Sequence, residues 1–156
     1  MPIAHLDMNK HEFSPEIRLE QMIEKLKKNE FRITPQRYAV LKILAHSDNH
    51  PSAERIYEQL VADYPTMSPA TVYKTINLLK KNGEILELEF SEMCNRYDGN
   101  RPYPHPHMVC TKCGTIVDPP MLDFEKLKIT MMKETGFTIS SHRLDFYGVC
   151  PECQKE

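Results

Sequence analysis

Apolar residues recur at helical spacing in four consecutive segments of the first half of the chain. Each segment begins after a hydroxyl residue that can cap free amide groups, and in three of them proline takes the first helical position. This period predicts four helices. They open after Ser14, Thr34, Ser52 and Ser68, and their expected inward residues are Ile17, Ile23 and Leu26; Val40, Leu41 and Leu44; Ala53, Ile56, Tyr57 and Leu60; and Val72, Ile76 and Leu79.

The hydrophobic period changes after the fourth helix. Asn82-Gly83 can end that helix because glycine adopts the left-handed cap conformation. Charged and apolar residues then alternate from Glu84 to Phe90, and Arg96-Tyr-Asp98 can form the other strand of a hairpin. Several helices followed by a two-stranded ribbon predict a winged helix-turn-helix domain.

The rest of the chain predicts a small α/β unit, so the expected fold class is α+β. His107 to Val117 indicates two strands around a turn, Leu122 to Thr135 a helix ended by Gly136, and Phe137 to Val149 an extended segment. A unit this small needs support from zinc or a partner subunit. The expected parts are a flexible extension (1–13), a winged-helix DNA-binding domain (14–98), a hinge (99–104) and a dimerisation and zinc-binding domain (105–156).

Composition narrows the class of protein only slightly. The 156 residues carry a net charge of −2 and a pI near 6.4, so the whole chain has no strong basic field, although Lys and Arg outnumber Asp and Glu in the helical half. No apolar run is long enough to span a membrane, and the first residues lack a secretory pattern. We therefore expect a cytoplasmic protein with reduced cysteines.

Four of the five cysteines form two C-x-x-C pairs. Cys110-Thr-Lys-Cys113 and Cys150-Pro-Glu-Cys153 predict a tetrahedral four-thiolate zinc site, which is structural because no coordination position remains open. Buried or oxidised cysteines without metal are the less favoured alternative. Cys94 stands apart and is expected to be an ordinary free thiol.

Histidines and aspartates predict a second metal site with different chemistry. His105 and His107 lie two apart on an expected strand and so share a face, Asp98 and Asp118 are near in sequence, and His50 could reach them from the helical half. Taken singly, each aspartate could simply end a strand or form a turn, and His50 could be a loop residue. Together they would form a nitrogen/oxygen site that suits Fe(II) or Mn(II) better than tetrahedral zinc.

The fourth helix carries a solvent face suited to the major groove of DNA. An ordinary solvated face is the alternative, and the helices before it and the ribbon after it disfavour that alternative. Three residues at an earlier helix start could hold the phosphate backbone. The expected DNA contacts are Ala70, Tyr73, Lys74, Asn77 and Lys81 on the fourth helix, with Lys80 on its flank, and Arg32, Gln36 and Arg37 before it.

These motifs together resemble the ferric uptake regulator family, and within it the peroxide-responsive repressors. The resemblance rests on Arg32-Ile-Thr-Pro-Gln-Arg37, His50-Pro51, Ala70-Thr-Val-Tyr73, Arg96-Tyr-Asp98, His105-Pro-His107, both C-x-x-C turns and His142-Arg-Leu-Asp-Phe-Tyr-Gly148. It implies a homodimeric repressor of double-stranded operator DNA with a structural zinc and a regulatory iron, as Fe(II), or manganese, as Mn(II). The implied regulatory ligands are His50, Asp98, His105, His107 and Asp118.

Aspartate at positions 98 and 118 favours the peroxide branch of the family. In that branch, peroxide reacts with bound Fe(II) and a ligand histidine is oxidised, so His50 and His105 are the candidates here. Lys74 departs from the residues usual in the family and leaves the operator preference open. Pro104 and Pro106 replace ligands of a third site found in some members, so no third site is expected despite Glu125 and His142.

Other functions remain open at this point. An iron-responsive repressor would use Fe(II) as a reversible co-repressor, and a zinc-uptake regulator is disfavoured by the two aspartates. A metal-dependent hydrolase is disfavoured by the helix face of Tyr73, Lys74 and Asn77 and by the lack of a general base beyond the ligands. We therefore expect a regulator and not an enzyme.

Overall fold

A computed structural model describes residues 14–90, 93–119 and 124–155. The chain divides into two compact units: a helical unit that ends at Pro102 and a cysteine unit that begins at Tyr103. None of the helices in these described ranges is long and apolar enough to cross a membrane.

The helical unit contains the four predicted helices and the predicted two-stranded ribbon. Its elements are α1 (Pro15–Lys28), α2 (Pro35–His46), α3 (Ala53–Leu60), α4 (Pro69–Lys81), β1 (Leu86–Leu88) and β2 (Arg96–Asp98). Each helix begins as expected, because the side chains of Ser14, Thr34, Ser52 and Ser68 each accept a hydrogen bond from a first-turn backbone N–H. Gly83 follows the end of α4 and adopts the left-handed cap conformation, with a positive φ of 69°.

The core of the helical unit follows the predicted faces of α2, α3 and α4. Val72, Ile76 and Leu79 are buried, as predicted, so the opposite face of α4 is left to solvent. The prediction for α1 was wrong at one position: Ile17 is 47% exposed, whereas its neighbour Arg18 is only 4% exposed. Arg18 is tolerated inside because three of its guanidinium nitrogens donate hydrogen bonds to protein oxygens.

The ribbon is an antiparallel pair, as predicted, but shorter than the predicted 84–90 strand. Glu87 of β1 lies opposite Tyr97 of β2. The backbone N–H of Tyr97 also donates to the Pro51 carbonyl at 3.0 Å, which fixes β2 beside the loop before α3. Asp98, the last residue of β2, is therefore held close to that loop.

The cysteine unit is a small sheet with one helix, as the sequence predicted. Its elements are β3 (His107–Cys110), β4 (Ile116–Val117), α5 (Phe124–Thr135) and β5 (Asp145–Gly148), with strand order β4-β3-β5. β3 pairs antiparallel with β4 and parallel with β5. The extended segment predicted over 137–149 forms a strand only at its end, and the predicted helix start at 122 lies outside the described residues.

Candidate metal centres and nucleic-acid interface

The four predicted zinc ligands lie together in the cysteine unit. The sulfur atoms of Cys110, Cys113, Cys150 and Cys153 all lie within 4.8 Å of one another. Cys113 Sγ and Cys150 Sγ are 3.7 Å apart, which matches the edge of about 3.8 Å of a tetrahedron with metal–sulfur bonds of about 2.3 Å. The cluster therefore fits zinc in both donor type and spacing.

Backbone donors favour a thiolate at the first of these cysteines. N–H groups of Cys113 and Cys150 point at the Cys110 sulfur and lower the pKa of Cys110 to about 6. In contrast, the neighbouring thiols Cys150 and Cys113 raise the pKa of Cys153 to about 12. Four thiolates this close would repel one another in the absence of a cation, and a bound metal ion offsets that repulsion.

The helical unit contains a buried histidine–aspartate pair, His50 and Asp98. His50 and Asp98 are 1% and 3% exposed, and His50 Nε2 lies 3.1 Å from Asp98 Oδ2. His50 has a left-handed backbone (φ 49°), which is uncommon for a non-glycine residue. Its carbonyl accepts a hydrogen bond from Arg96 Nε at 2.9 Å, so the imidazole is presented from a fixed loop.

The aspartate of this pair is anchored on its other side. Asp98 Oδ1 accepts hydrogen bonds from the N–H groups of Asn100 and Arg101 at 2.9 and 2.8 Å, an arrangement that stabilises the carboxylate. Gly99 is closely packed, since a Cβ there would lie 2.8 Å from Leu44 Cβ. The Gly99 carbonyl accepts from Arg18 Nε at 2.7 Å. Asp98 is thus held in a fixed position, from which a carboxylate oxygen can serve as a metal ligand.

The cysteine unit contributes a second histidine–aspartate group. His105 Nε2 lies 3.2 Å from Asp118 Oδ2, and His107 Nε2 lies 3.8 Å from Asp118 Oδ1. The two imidazole centroids are 4.4 Å apart. The prediction that both histidines lie on one strand was wrong for His105, because β3 begins only at His107; Pro106 has no N–H to continue the ladder.

Contacts at the far nitrogens orient both imidazoles. His105 Nδ1 lies 2.7 Å from the Tyr103 carbonyl, and His107 Nδ1 lies 3.3 Å from Asp145 Oδ1. If each Nδ1 carries the proton, each Nε2 presents its lone pair toward Asp118. Sequence reasoning missed Asp145 because only the pairing of β3 with β5 places it beside His107.

The predicted DNA-contacting residues of α4 lie on its solvent face. Exposed residues of this face are Ala70, Tyr73, Lys74, Asn77, Lys80 and Lys81. Before them, Arg32 is exposed, while Gln36 and Arg37 are half-buried near the start of α2. Arg37 donates through its guanidinium to the Arg32 carbonyl, and Lys80 pairs with Glu87 of β1, which links α4 to the ribbon.

Sequence reasoning also missed a partner of Tyr73. The Tyr73 hydroxyl donates a hydrogen bond to the Glu54 carboxylate on α3. This bond lowers the pKa of Glu54 and raises the pKa of Tyr73. Tyr73, although 42% exposed, is therefore oriented by a neighbouring helix.

The fold combines helices α1–α4 and a β-ribbon with a second unit that carries four clustered cysteines. This combination defines the class of winged-helix metal-binding regulators. The chain belongs to the ferric uptake regulator family, whose sequence model matches residues 28–147. Members of this family are metal-responsive repressors that bind operator DNA.

Two kinds of relative support this assignment. The peroxide-responsive repressor PerR of Staphylococcus aureus is 40% identical over 144 residues, covering 90% of this chain and 95% of that protein. The Helicobacter pylori ferric uptake regulator Fur, described as having three functional metal-binding sites, matches with a TM-score of 0.79 at 28% identity, covering 95% and 99% of the two chains. PerR from Streptococcus pyogenes matches with a TM-score of 0.51 at 33% identity, covering 88% and 93%.

Proposed function

We propose that this chain is a peroxide-sensing transcriptional repressor that binds operator DNA as a homodimer when a regulatory Fe(II) or Mn(II) is bound. The observation that carries the proposal is the set of side chains that can act as metal ligands. Three buried imidazoles and two carboxylates are presented by anchored backbone: His50 and Asp98 in the helical unit, and His105, His107 and Asp118 in the cysteine unit.

The five donors are proposed to bind one ion. The helical unit offers two of these ligands and the cysteine unit three, and together they match the five or six positions of Fe(II) or Mn(II). Nitrogen and carboxylate oxygen suit these ions, while the four cysteines suit structural zinc. Because the ligands come from both units, occupancy would restrict the arrangement of the DNA-binding helices.

Peroxide sensing is proposed to occur at the ligand histidines. Bound Fe(II) supplies the one-electron chemistry that activates hydrogen peroxide, and Mn(II) does not. His50 and His105 are the proposed targets; one peroxide oxygen enters an imidazole C–H bond and the other leaves as water. An oxidised ring is a poorer ligand, so metal affinity falls and repression ends.

DNA binding is proposed to use the solvent face of α4. Lys74 and Lys81 supply positive charge, Tyr73 and Asn77 reach base edges, and Ala70 allows close approach. Arg32, Gln36 and Arg37 are proposed phosphate contacts. Each lost phosphate contact should weaken binding to all sequences and reduce its salt dependence.

The homodimer is proposed to form through the cysteine unit. No side chain of α5 is buried, and Leu127, Ile129 and Met131 are 50%, 61% and 52% exposed. Fully burying such a side chain contributes roughly 1.5–3 kcal/mol. Leu127 and Met131 lie one turn apart on the same helical face. Sedimentation of Leu127→Asp/Met131→Asp should therefore show a shift toward monomer, and an unchanged dimer would exclude this surface.

The deciding experiment compares Fe(II)-loaded and Mn(II)-loaded protein after hydrogen peroxide treatment, by peptide mass spectrometry and by operator mobility shift. We expect a gain of one oxygen on peptides containing His50 or His105, with loss of DNA binding, in the iron form alone. The Mn(II) form is the matched control because it has the same ligands. Unmodified histidines and unchanged binding in the iron form would instead indicate reversible iron sensing.

A further inference from the structure

Asp145 is a buried carboxylate outside the set of proposed metal ligands. β3 and β5 run parallel in a register that places His107 opposite Asp145. The Asp145 side chain is only 7% exposed, and its Oδ1 lies 3.3 Å from His107 Nδ1. Its second oxygen, Oδ2, accepts a hydrogen bond from Arg143 Nε at 2.6 Å. Both carboxylate oxygens therefore have a partner: His107 at Oδ1 and Arg143 at Oδ2.

This arrangement has a chemical consequence for His107. A carboxylate can only accept hydrogen bonds, so it favours the tautomer with a proton on Nδ1 and a lone pair on Nε2. His107 Nε2 is the nitrogen on the Asp118 side. The carboxylate also makes the imidazole more basic than a neutral acceptor would. His105, in contrast, has a neutral backbone carbonyl at Nδ1.

We propose that Asp145 is a positioning residue that fixes the tautomer and orientation of His107 for metal binding, and that Arg143 holds Asp145 in place. The inference rests on the proposed function, in which His107 is a ligand. Loss of such an outer carboxylate typically lowers metal affinity 10–100-fold. Arg143 is one step further away and 40% exposed, so its loss should have a smaller effect.

The experiment uses the full zinc-loaded chain and Mn(II) as the probe. Mn(II) affinity is measured by electron paramagnetic resonance for wild type, Asp145→Ala, Asp145→Asn, Arg143→Gln and His107→Ala. Glu20→Ala, which removes an exposed carboxylate from α1, is the matched control. Zinc content and melting temperature verify folding. Nitrogen-15 NMR of the histidines before Mn(II) addition reports the His107 tautomer, which a purely structural role of Asp145 would not change.

We expect Asp145→Ala to bind Mn(II) 10–100-fold more weakly with zinc unchanged and to lose the single Nδ1–H tautomer of His107. Asp145→Asn should retain part of both because its amide oxygen still accepts a hydrogen bond; it also serves if Asp145→Ala fails to fold. Wild-type affinity and tautomer in both variants, with binding lost in His107→Ala, would overturn the role of Asp145 and leave the metal site standing. No Mn(II) binding by wild type would overturn both.

Discussion

Replacing Arg18 by Met should destabilise the helical unit by about 3 kcal/mol, because it breaks a buried ion pair. Arg18 donates to Glu84 Oε2 at 2.8 Å, the Glu84 carbonyl at 2.7 Å and the Gly99 carbonyl at 2.7 Å. Methionine keeps the apolar stem but leaves these three oxygens without their donor. Breaking a buried pair costs roughly 3–5 kcal/mol, and the low end applies because the Glu84 side chain is 13% exposed and can reach water.

Urea unfolding followed by far-UV circular dichroism measures this loss, since α1–α4 all lie in the helical unit. The double variant Arg18→Met/Glu84→Met is the informative control. Replacing both partners of a buried ion pair by apolar residues is often neutral, so the double variant should recover at least about 1 kcal/mol relative to Arg18→Met. A loss below about 1 kcal/mol in the single variant, or no recovery in the double, would refute the assigned role of this pair.

Three further predictions concern the sites. Cys110→Ser should lose zinc and the dimer, measured by metal analysis and sedimentation; a stable zinc-free dimer would contradict the zinc assignment. Asp118→Glu should show less histidine oxidation by peptide mass spectrometry, and undiminished oxidation would remove this residue as a mark of peroxide sensing. Tyr73→Phe should raise the pKa of Glu54 toward its ordinary value in a carbon-13 NMR titration, because the hydroxyl that lowers it is gone; an unchanged pKa would exclude that hydrogen bond.

The same Tyr73–Glu54 bond gives a sign for the effect of pH. A carboxyl whose pKa is lowered in the folded chain contributes stability above its unfolded pKa, and that contribution disappears as pH falls through the lowered folded value. Acidification should therefore release Tyr73 from Glu54. The effect on stability is small because both groups are largely exposed.

Local pattern predicted the helical unit well because each signal acts over one turn or one hairpin. The hydroxyl caps at Ser14 and Thr34 and the buried face of Val72 and Ile76 depend only on neighbouring residues. Arg18 was missed because its three acceptors lie on Glu84 and Gly99, far along the chain. Hydrophobic period cannot foresee that distant oxygens will make a buried arginine acceptable.

The same contrast between local and long-range contacts applies to the candidate sites. The spacing of Cys110 and Cys113 identified the sulfur cluster, since a C-x-x-C turn sets the ligand geometry by itself. Asp145 and Glu54 were missed because parallel strand pairing and helix packing bring them to His107 and Tyr73. Carboxylates in amphipathic segments look like ordinary solvated residues until their neighbours are known.

Strand β3 has an imidazole, His107, at its first residue and a zinc-site cysteine, Cys110, at its last. It begins at His107 and ends at Cys110, a span of about 10 Å at 3.3 Å per residue. Its partner β5 begins at Asp145 and ends at Gly148, two residues before Cys150, whose N–H donates to Cys110 Sγ. Disrupting the sulfur end should loosen the parallel pair and let Asp145 drift from His107. Thiol-reactive chemicals would then weaken the proposed regulatory metal site without modifying any of its proposed ligands.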